Sequence, residues 1–175
     1  MELDRLLPLL ACPACRGPLV PADGELQCPT CPRTYPVRGG VPLLLPPGDE
    51  ALSEAGDAFW FREDTREKVA RRNRLVDLFR LPNPAVRSDH PVRTKEIFRD
   101  EVLTGRGTIL NLGSGLAKRF DNPNVVNLDI SPHENTDVVG DGLALPLAGD
   151  SFDGAVLDSV LEHVPNPWTM ADELY

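Results

Sequence analysis

The stretch NLGSGLAKRFDNPNVVNLDIS, residues 111–131, decides the fold. Thr108-Ile109-Leu110 with Asn111-Leu112 reads as a short buried strand, and Gly113-Ser114-Gly115 follows it at once. Glycines at a strand end let the backbone approach a ligand closely. Val125–Asp129 then reads as a second apolar strand closed by a carboxylate, which at that place can accept both hydroxyls of a ribose. Gly113 and Asp129 are only 16 positions apart. A parallel crossover normally takes a dozen or more residues, usually helical. The first helix is therefore expected to be one or two turns or irregular, and Asp121-Asn122-Pro123-Asn124 favours a turn.

Downstream the pattern repeats. Asp137–Asp141 reads as a third strand ending in an acid. A polar turn, a fourth strand at about 154–158 and the start of a helix at Leu161-Glu162-His163-Val164 follow. Four short strands with intervening loops imply a parallel sheet that binds ligands at strand carboxyl ends.

The N-terminal part is of another kind. All four cysteines lie there, as Cys12-Pro-Ala-Cys15-Arg-Gly17 and Cys28-Pro-Thr-Cys31. Two Cys-x-x-Cys pairs offer four thiolates at tetrahedral corners and suit a closed structural zinc site. Iron, two disulfides and free thiols are the other readings. Gly17 is expected to take the positive φ that points amides at sulfur. About 45 residues cannot bury a large core, so a metal supplies the missing folding energy. Tyr35 and Leu43–Leu45 are read either as packing over the metal site or as contact with a second domain.

Between the two lies a charged segment with helical spacing at roughly 60–80 and 92–103, and Leu43–Glu50 reads as the start of a linker. An arginine cluster, Arg62, Arg66, Arg71, Arg72 and Arg74, reads as a solvated face. The resulting boundaries are 1–46 for the ribbon, 47–105 for a helical linker and 106–175 for the nucleotide-like half.

Net charge is −9, and residues 106–175 hold 11 acids against 3 bases. That surface repels phosphate backbones and argues against nucleic acid. No apolar run approaches the roughly 20 residues of a membrane span, and Met1–Pro13 lacks the basic start of a signal peptide. A cytoplasmic location is expected.

Two resemblances sharpen the reading. The cysteine pairs, Tyr35-Pro36-Val37 and Gly40-Val41-Pro42 before Leu43-Leu44-Leu45 resemble small zinc-ribbon proteins that accompany methyltransferases, including the activator subunit of transfer-RNA and release-factor methyltransferases. That resemblance implies a docking and stabilising role. The glycine loop, the two strand-end acids and Ser151-Phe152-Asp153 with Leu161–Val164 resemble class I S-adenosylmethionine-dependent methyltransferases.

By the second resemblance Gly113, Ser114 and Gly115 lie against the methionine part of the cofactor. Asp129 binds the ribose, Ile130 packs on the adenine, Asp141 accepts from its amino group and Gly142 offers backbone contacts. Asp158 approaches the methyl-transfer region, and His163 is either a general base or a backbone-bonded turn histidine. Asn111 stands where the family carries an acid that orients the cofactor's ammonium, and Ala117 replaces the third glycine.

The expected fold is α/β: a truncated, Rossmann-like parallel sheet of about four strands behind a small β-rich zinc ribbon and a helical linker. The resembled fold continues through three more strands, so a fragment of a longer protein is expected, with a bare sheet edge open to a protein partner. The expected function is methyl transfer from S-adenosylmethionine to a small molecule. The rival is a partner-binding scaffold on a degenerate domain.

Overall fold

In the computed structural model, residues 1–46, 107–115 and 122–175 are described, and they belong to one folded unit. The expected linker helices, the arginine cluster, Ala117 and the first crossover's centre lie outside the described residues.

The N-terminal part is a β-ribbon. After a short helix α1 (Leu3–Leu6) and a 3-10 turn (Leu7–Leu9) come β1 (Val20–Ala22), β2 (Glu25–Gln27), β3 (Thr34–Arg38) and β4 (Val41–Leu44), each antiparallel to the last. The β3–β4 turn is Gly39-Gly40 with φ of 58° and 85°, the left-handed pair that a two-residue hairpin turn requires.

The C-terminal part supplies β5 (Ile109–Leu112), β6 (Val125–Asp129), β7 (Val138–Gly140) and β8 (Gly154–Leu157), all parallel, then a helix α2 (Pro167–Leu174). Strands β5 to β7 are buried at nearly every position, on both faces, as parallel strands usually are. This agrees with the expected four-stranded α/β arrangement. The β6–β7 connection is only residues 130–137 and contains no helix, because eight residues are too few to hold one and still cross over. The helix expected at Leu161 is a single 3-10 turn. Pro165 and Pro167 delay the true helix until Asn166, whose side chain accepts from the amides of Trp168 and Thr169.

The two parts share one sheet. Strand β4 pairs parallel with β7, Leu43 opposite Val139 and Leu44 opposite Gly140, giving the order β1-β2-β3-β4-β7-β6-β5-β8. Leu43 and Leu44 therefore contact the second half of the chain, the alternative to packing over the cysteines. A second seam runs beneath: the Ala11 amide donates to the Pro146 carbonyl at 3.0 Å and the Ala148 amide to the Leu9 carbonyl at 2.9 Å. Arg16, inside the first cysteine knuckle, donates to the Leu145 carbonyl and pairs with Glu173 of α2. Leu6, Leu10, Leu44, Leu110, Leu128, Val138, Leu147 and Met170 then form one core across both parts. No helix among the described residues is long and apolar enough to cross a membrane.

The seam makes Gly140 sensitive. A Cβ there would lie 2.7 Å from Cγ of Pro146, a ring that cannot rotate away. Gly140→Ala should lower stability by about 1–3 kcal/mol, read as a fall in the urea midpoint. An unchanged midpoint would mean that the 141–148 connection shifts freely.

Candidate functional site

The first candidate site is the cysteine cluster. The Sγ atoms of Cys12, Cys15, Cys28 and Cys31 all lie within 4.8 Å of one another, with Cys12–Cys31 at 3.7 Å and Cys15–Cys28 at 3.4 Å. Metal–sulfur bonds of about 2.3 Å in a tetrahedron demand edges of ~3.8 Å, so the four thiols fit one ion. No disulfide joins them.

Each knuckle is closed by its own backbone. The Cys12 amide donates to the Gly17 carbonyl at 2.8 Å and the Cys28 amide to the Arg33 carbonyl at 3.0 Å. The positive φ expected at Gly17 belongs instead to Arg16, at 62°. Gly17 is glycine because a Cβ would lie 2.6 Å from Oγ1 of Thr30 in the opposite knuckle. Its amide still donates to the Cys15 sulfur.

Burial pushes the Cys28 thiol up, but the Cys31 amide, the Cys15 thiol and the Thr30 amide outweigh it and bring it down to about 6. Burial, then the neighbouring thiols, push Cys31 up to about 12. Four sulfurs this close resist full ionisation until a cation neutralises them.

Tyr35 of β3 is buried beside them, with its hydroxyl hydrogen-bonded to the Cys12 sulfur at 3.2 Å; toward a metal-bound thiolate, which can only accept, the hydroxyl is the donor. Its own ionisation is pushed up by burial and by Cys12. This outer partner was legible in the sequence only as a packing residue. Tyr35→Phe should remove one hydrogen bond to a charged sulfur, cost about 1.5–3 kcal/mol and speed metal loss to a chromogenic chelator. Unaltered release kinetics would show that the hydroxyl is idle.

The second candidate site lies along the carboxyl ends of β5 to β8, where Gly113, Asp129, Asp141 and Asp158 stand at one edge of the sheet. Gly113 has φ 71°, and a Cβ would lie 2.4 Å from Cγ2 of Val160. The Gly113 and Ser114 amides donate to the Leu128 carbonyl at 2.8 and 3.2 Å, folding the loop over the end of β6. There the Gly115 amide donates to Oδ2 of Asp129 at 2.8 Å. The other oxygen of Asp129 accepts from the Ser131 amide at 3.0 Å and lies 3.6 Å from Nε2 of His133.

Asp129 is thus 9 % exposed and firmly oriented, while its neighbour Ile130 is 38 % exposed. An oriented acid beside an uncovered apolar side chain suits a ribose with a base next to it. Ser114 is 2 % exposed, and its hydroxyl has no partner among the described residues.

The remaining expected residues are less tightly gathered. Asp141 caps its own turn, accepting from the Leu143 amide at 2.9 Å. Gly142 packs on α2, where a Cβ would lie 2.5 Å from Cε of Met170. Asp158 is exposed and accepts from the Ser159 hydroxyl at 3.3 Å. Asn111 is buried, but its amide nitrogen donates sideways to Asn127 at 2.8 Å. His163 is exposed, with its backbone amide on the Val160 carbonyl. The His133 side chain is 6 % exposed. Thr136 holds it there by accepting from the His133 amide at 3.0 Å.

Comparison with known proteins gives each of the two sites a family likeness. Residues 4–40 match the family described as Trm112p-like protein, and residues 105–175 match the family described as Methyltransferase domain. An "Uncharacterized methyltransferase" of Mycobacterium ulcerans is 29% identical over 136 residues, which are 62% of this chain and 53% of that protein. A "UPF0434 protein" of Brucella anthropi is 46% identical over 52 residues, 29% of this chain and 81% of its own length. One from Nitrosococcus oceani is 44% identical over 43 residues, 23% of this chain and 73% of its own. The chain spans about half the length of the mycobacterial relative. Residues 4–40 thus form a Trm112p-like ribbon, and behind it the chain carries a methyltransferase domain.

Proposed function

We propose that the protein is a cytoplasmic S-adenosylmethionine-dependent methyltransferase acting on a small molecule, with a structural zinc ion in its ribbon. The observation that carries the reading is the clasp between loop and acid. Gly113–Gly115 folds over β6, and its last amide holds the Asp129 carboxylate at the mouth of the sheet.

In this reading Gly113, Ser114 and Gly115 bind the methionine end, Asp129 the ribose, Ile130 and Gly142 the adenine faces and Asp141 its amino group. A carboxylate has about four acceptor positions, and amides and His133 face three of Asp129's. One remains for a ribose hydroxyl, and a ligand that displaces the Gly115 amide would gain a second. The cofactor, when bound, supplies an already activated methyl group, so the chain's own task is to align an acceptor and exclude water. Asp158 and His163, on the segment after β8, stand where an acceptor would approach.

The acidic C-terminal part supports a small acceptor over nucleic acid. Four thiols, with no nitrogen or oxygen ligand grouped with them among the described residues, support zinc in a closed site without catalysis at the metal. Any protein partner is expected at the outer edge of β8, because β7 already takes the ribbon's β4 edge.

Calorimetric titration of metal-loaded protein with S-adenosylhomocysteine tests the reading. Micromolar affinity is expected. Absence of binding by a cooperatively melting protein would overturn it and favour a partner-binding scaffold.

A further inference from the structure

Behind the glycine loop lies a line of polar side chains that the cofactor contacts above do not use. Asn111 on β5 and Asn127 on β6 are register partners. Nδ2 of Asn111 donates to Oδ1 of Asn127 at 2.8 Å. The backbone amide and Nδ2 of Asn127 both donate to Oδ2 of Asp137, each at 2.9 Å. The Asp137 amide returns a bond to the Asn127 carbonyl at 2.8 Å, and Oδ1 of Asp137 accepts from the Met1 amino group.

This line has a direction. An ionised carboxylate only accepts, so Asp137 forces Asn127 to turn its nitrogen toward it. The oxygen of Asn127 must then face Asn111, and Asn111 must answer with its own nitrogen. The carbonyl oxygen of Asn111 is left on the far side of its amide, two residues before Gly113, with no donor among the described residues. One acid two strands away thus decides which atom of Asn111 is offered at the loop.

We propose that Asp137 is a positioning residue for the amino-acid end of the cofactor, acting through Asn127 to present the Asn111 carbonyl oxygen to the ligand's ammonium. The inference rests on the cofactor reading above. It assigns the job of an acid at position 111 to a relay whose charge stands at 137. A neutral amide presented in a fixed orientation accepts one hydrogen bond without placing a second carboxylate inside the sheet, where its desolvation would be unfavourable.

The test uses two ligands that differ only at that end. S-adenosylhomocysteine carries the ammonium, and 5′-methylthioadenosine keeps the nucleoside and lacks it. Asp137→Asn retains shape but can donate as well as accept, so the direction is lost. We expect about a tenfold loss of S-adenosylhomocysteine affinity, with 5′-methylthioadenosine unaffected.

Asn111→Asp alone should fare no better, because its carboxylate would face the oxygen of Asn127. Combining Asn111→Asp with Asp137→Asn reverses the two side-chain bonds of the line, Asn111–Asn127 and Asn127–Asp137, while the Asn127 backbone amide and the Met1 amino group can still only donate. The amide introduced at position 137 donates to Asn127, Asn127 donates to the carboxylate introduced at position 111, and that carboxylate stands at the loop. The double variant should recover the affinity for S-adenosylhomocysteine that each single change loses.

Equal losses for both ligands in Asp137→Asn, or a double variant no better than the worse single one, would overturn the relay and leave Asp137 a purely structural residue. If wild-type protein binds 5′-methylthioadenosine as tightly as S-adenosylhomocysteine, the relay falls while the nucleoside site stands. If it binds neither, the cofactor reading itself falls.

Discussion

Withdrawing the metal should unfold the ribbon and loosen the methyltransferase sheet with it. The ribbon's strands are three to five residues long, and its own buried side chains are few. A structural zinc ion contributes about 10–16 kcal/mol to folding, as much as or more than the ~5–15 kcal/mol net stability of a whole domain. Little can replace it in a ribbon this small. The loss does not stop at the ribbon, because β4 is the hydrogen-bonded neighbour of β7 and Leu44 is fully buried in the common core.

Chelation, or Cys12→Ser, should therefore remove amide exchange protection in β4 and in β7 together. The melting temperature should fall by at least about 10 °C, since each kcal/mol is worth several degrees in a protein of this size. Because thiols must lose protons to bind metal, the same loss should appear as pH is lowered. Retained protection of β7 after complete metal removal, checked by elemental analysis, would show that the sheet stands without the ribbon.

Replacing Asp129 is the second large effect. Its carboxylate has two duties in one place: it holds the Gly115 and Ser131 amides and is offered to a ribose. Asp129→Ala should weaken S-adenosylhomocysteine binding by at least about a hundredfold, the equivalent of two hydrogen bonds to a charged acceptor. It should also lower stability by about 1–3 kcal/mol, because two amides lose their acceptor. Asp129→Asn separates the duties. It keeps the shape and one acceptor, so most stability should survive while affinity falls about tenfold. Calorimetry and urea unfolding on the same samples read both. Unchanged affinity in Asp129→Ala would remove the ribose assignment.

Much of this was legible in the residues. The spacing of Cys12, Cys15, Cys28 and Cys31 announced four converging thiols, since each pair wraps one turn around an ion. The strands read at 108–112, 125–129, 137–141 and about 154–158 fell close to the observed ones, because buried parallel strands are written as short apolar runs. Other features were misread for local reasons. Gly17 looked like a backbone device and is a packing necessity against Thr30, which a knuckle's own sequence does not reveal. The covered side chain of His133 carried no local signal, because it is Thr136 that folds the 130–137 loop back upon Asp129. The helix at Leu161 waits for Asn166, since two prolines outweigh the apolar spacing.

By itself the sequence determined the converging cysteine quartet, the four parallel strands and the acids at their ends. Each follows from spacing or burial within a few residues. Only the tertiary structure decided that β4 joins β7, that Arg16 reaches Leu145 and Glu173, and that Asn111 answers to Asp137 through Asn127. The first is made of main-chain hydrogen bonds, which carry no side-chain signature and so cannot be read from residue types. The other two join side chains to partners far from them in sequence. Which partner a polar group finds there is settled by the strand order, because a buried donor must be satisfied by whatever acceptor the neighbouring strand brings beside it.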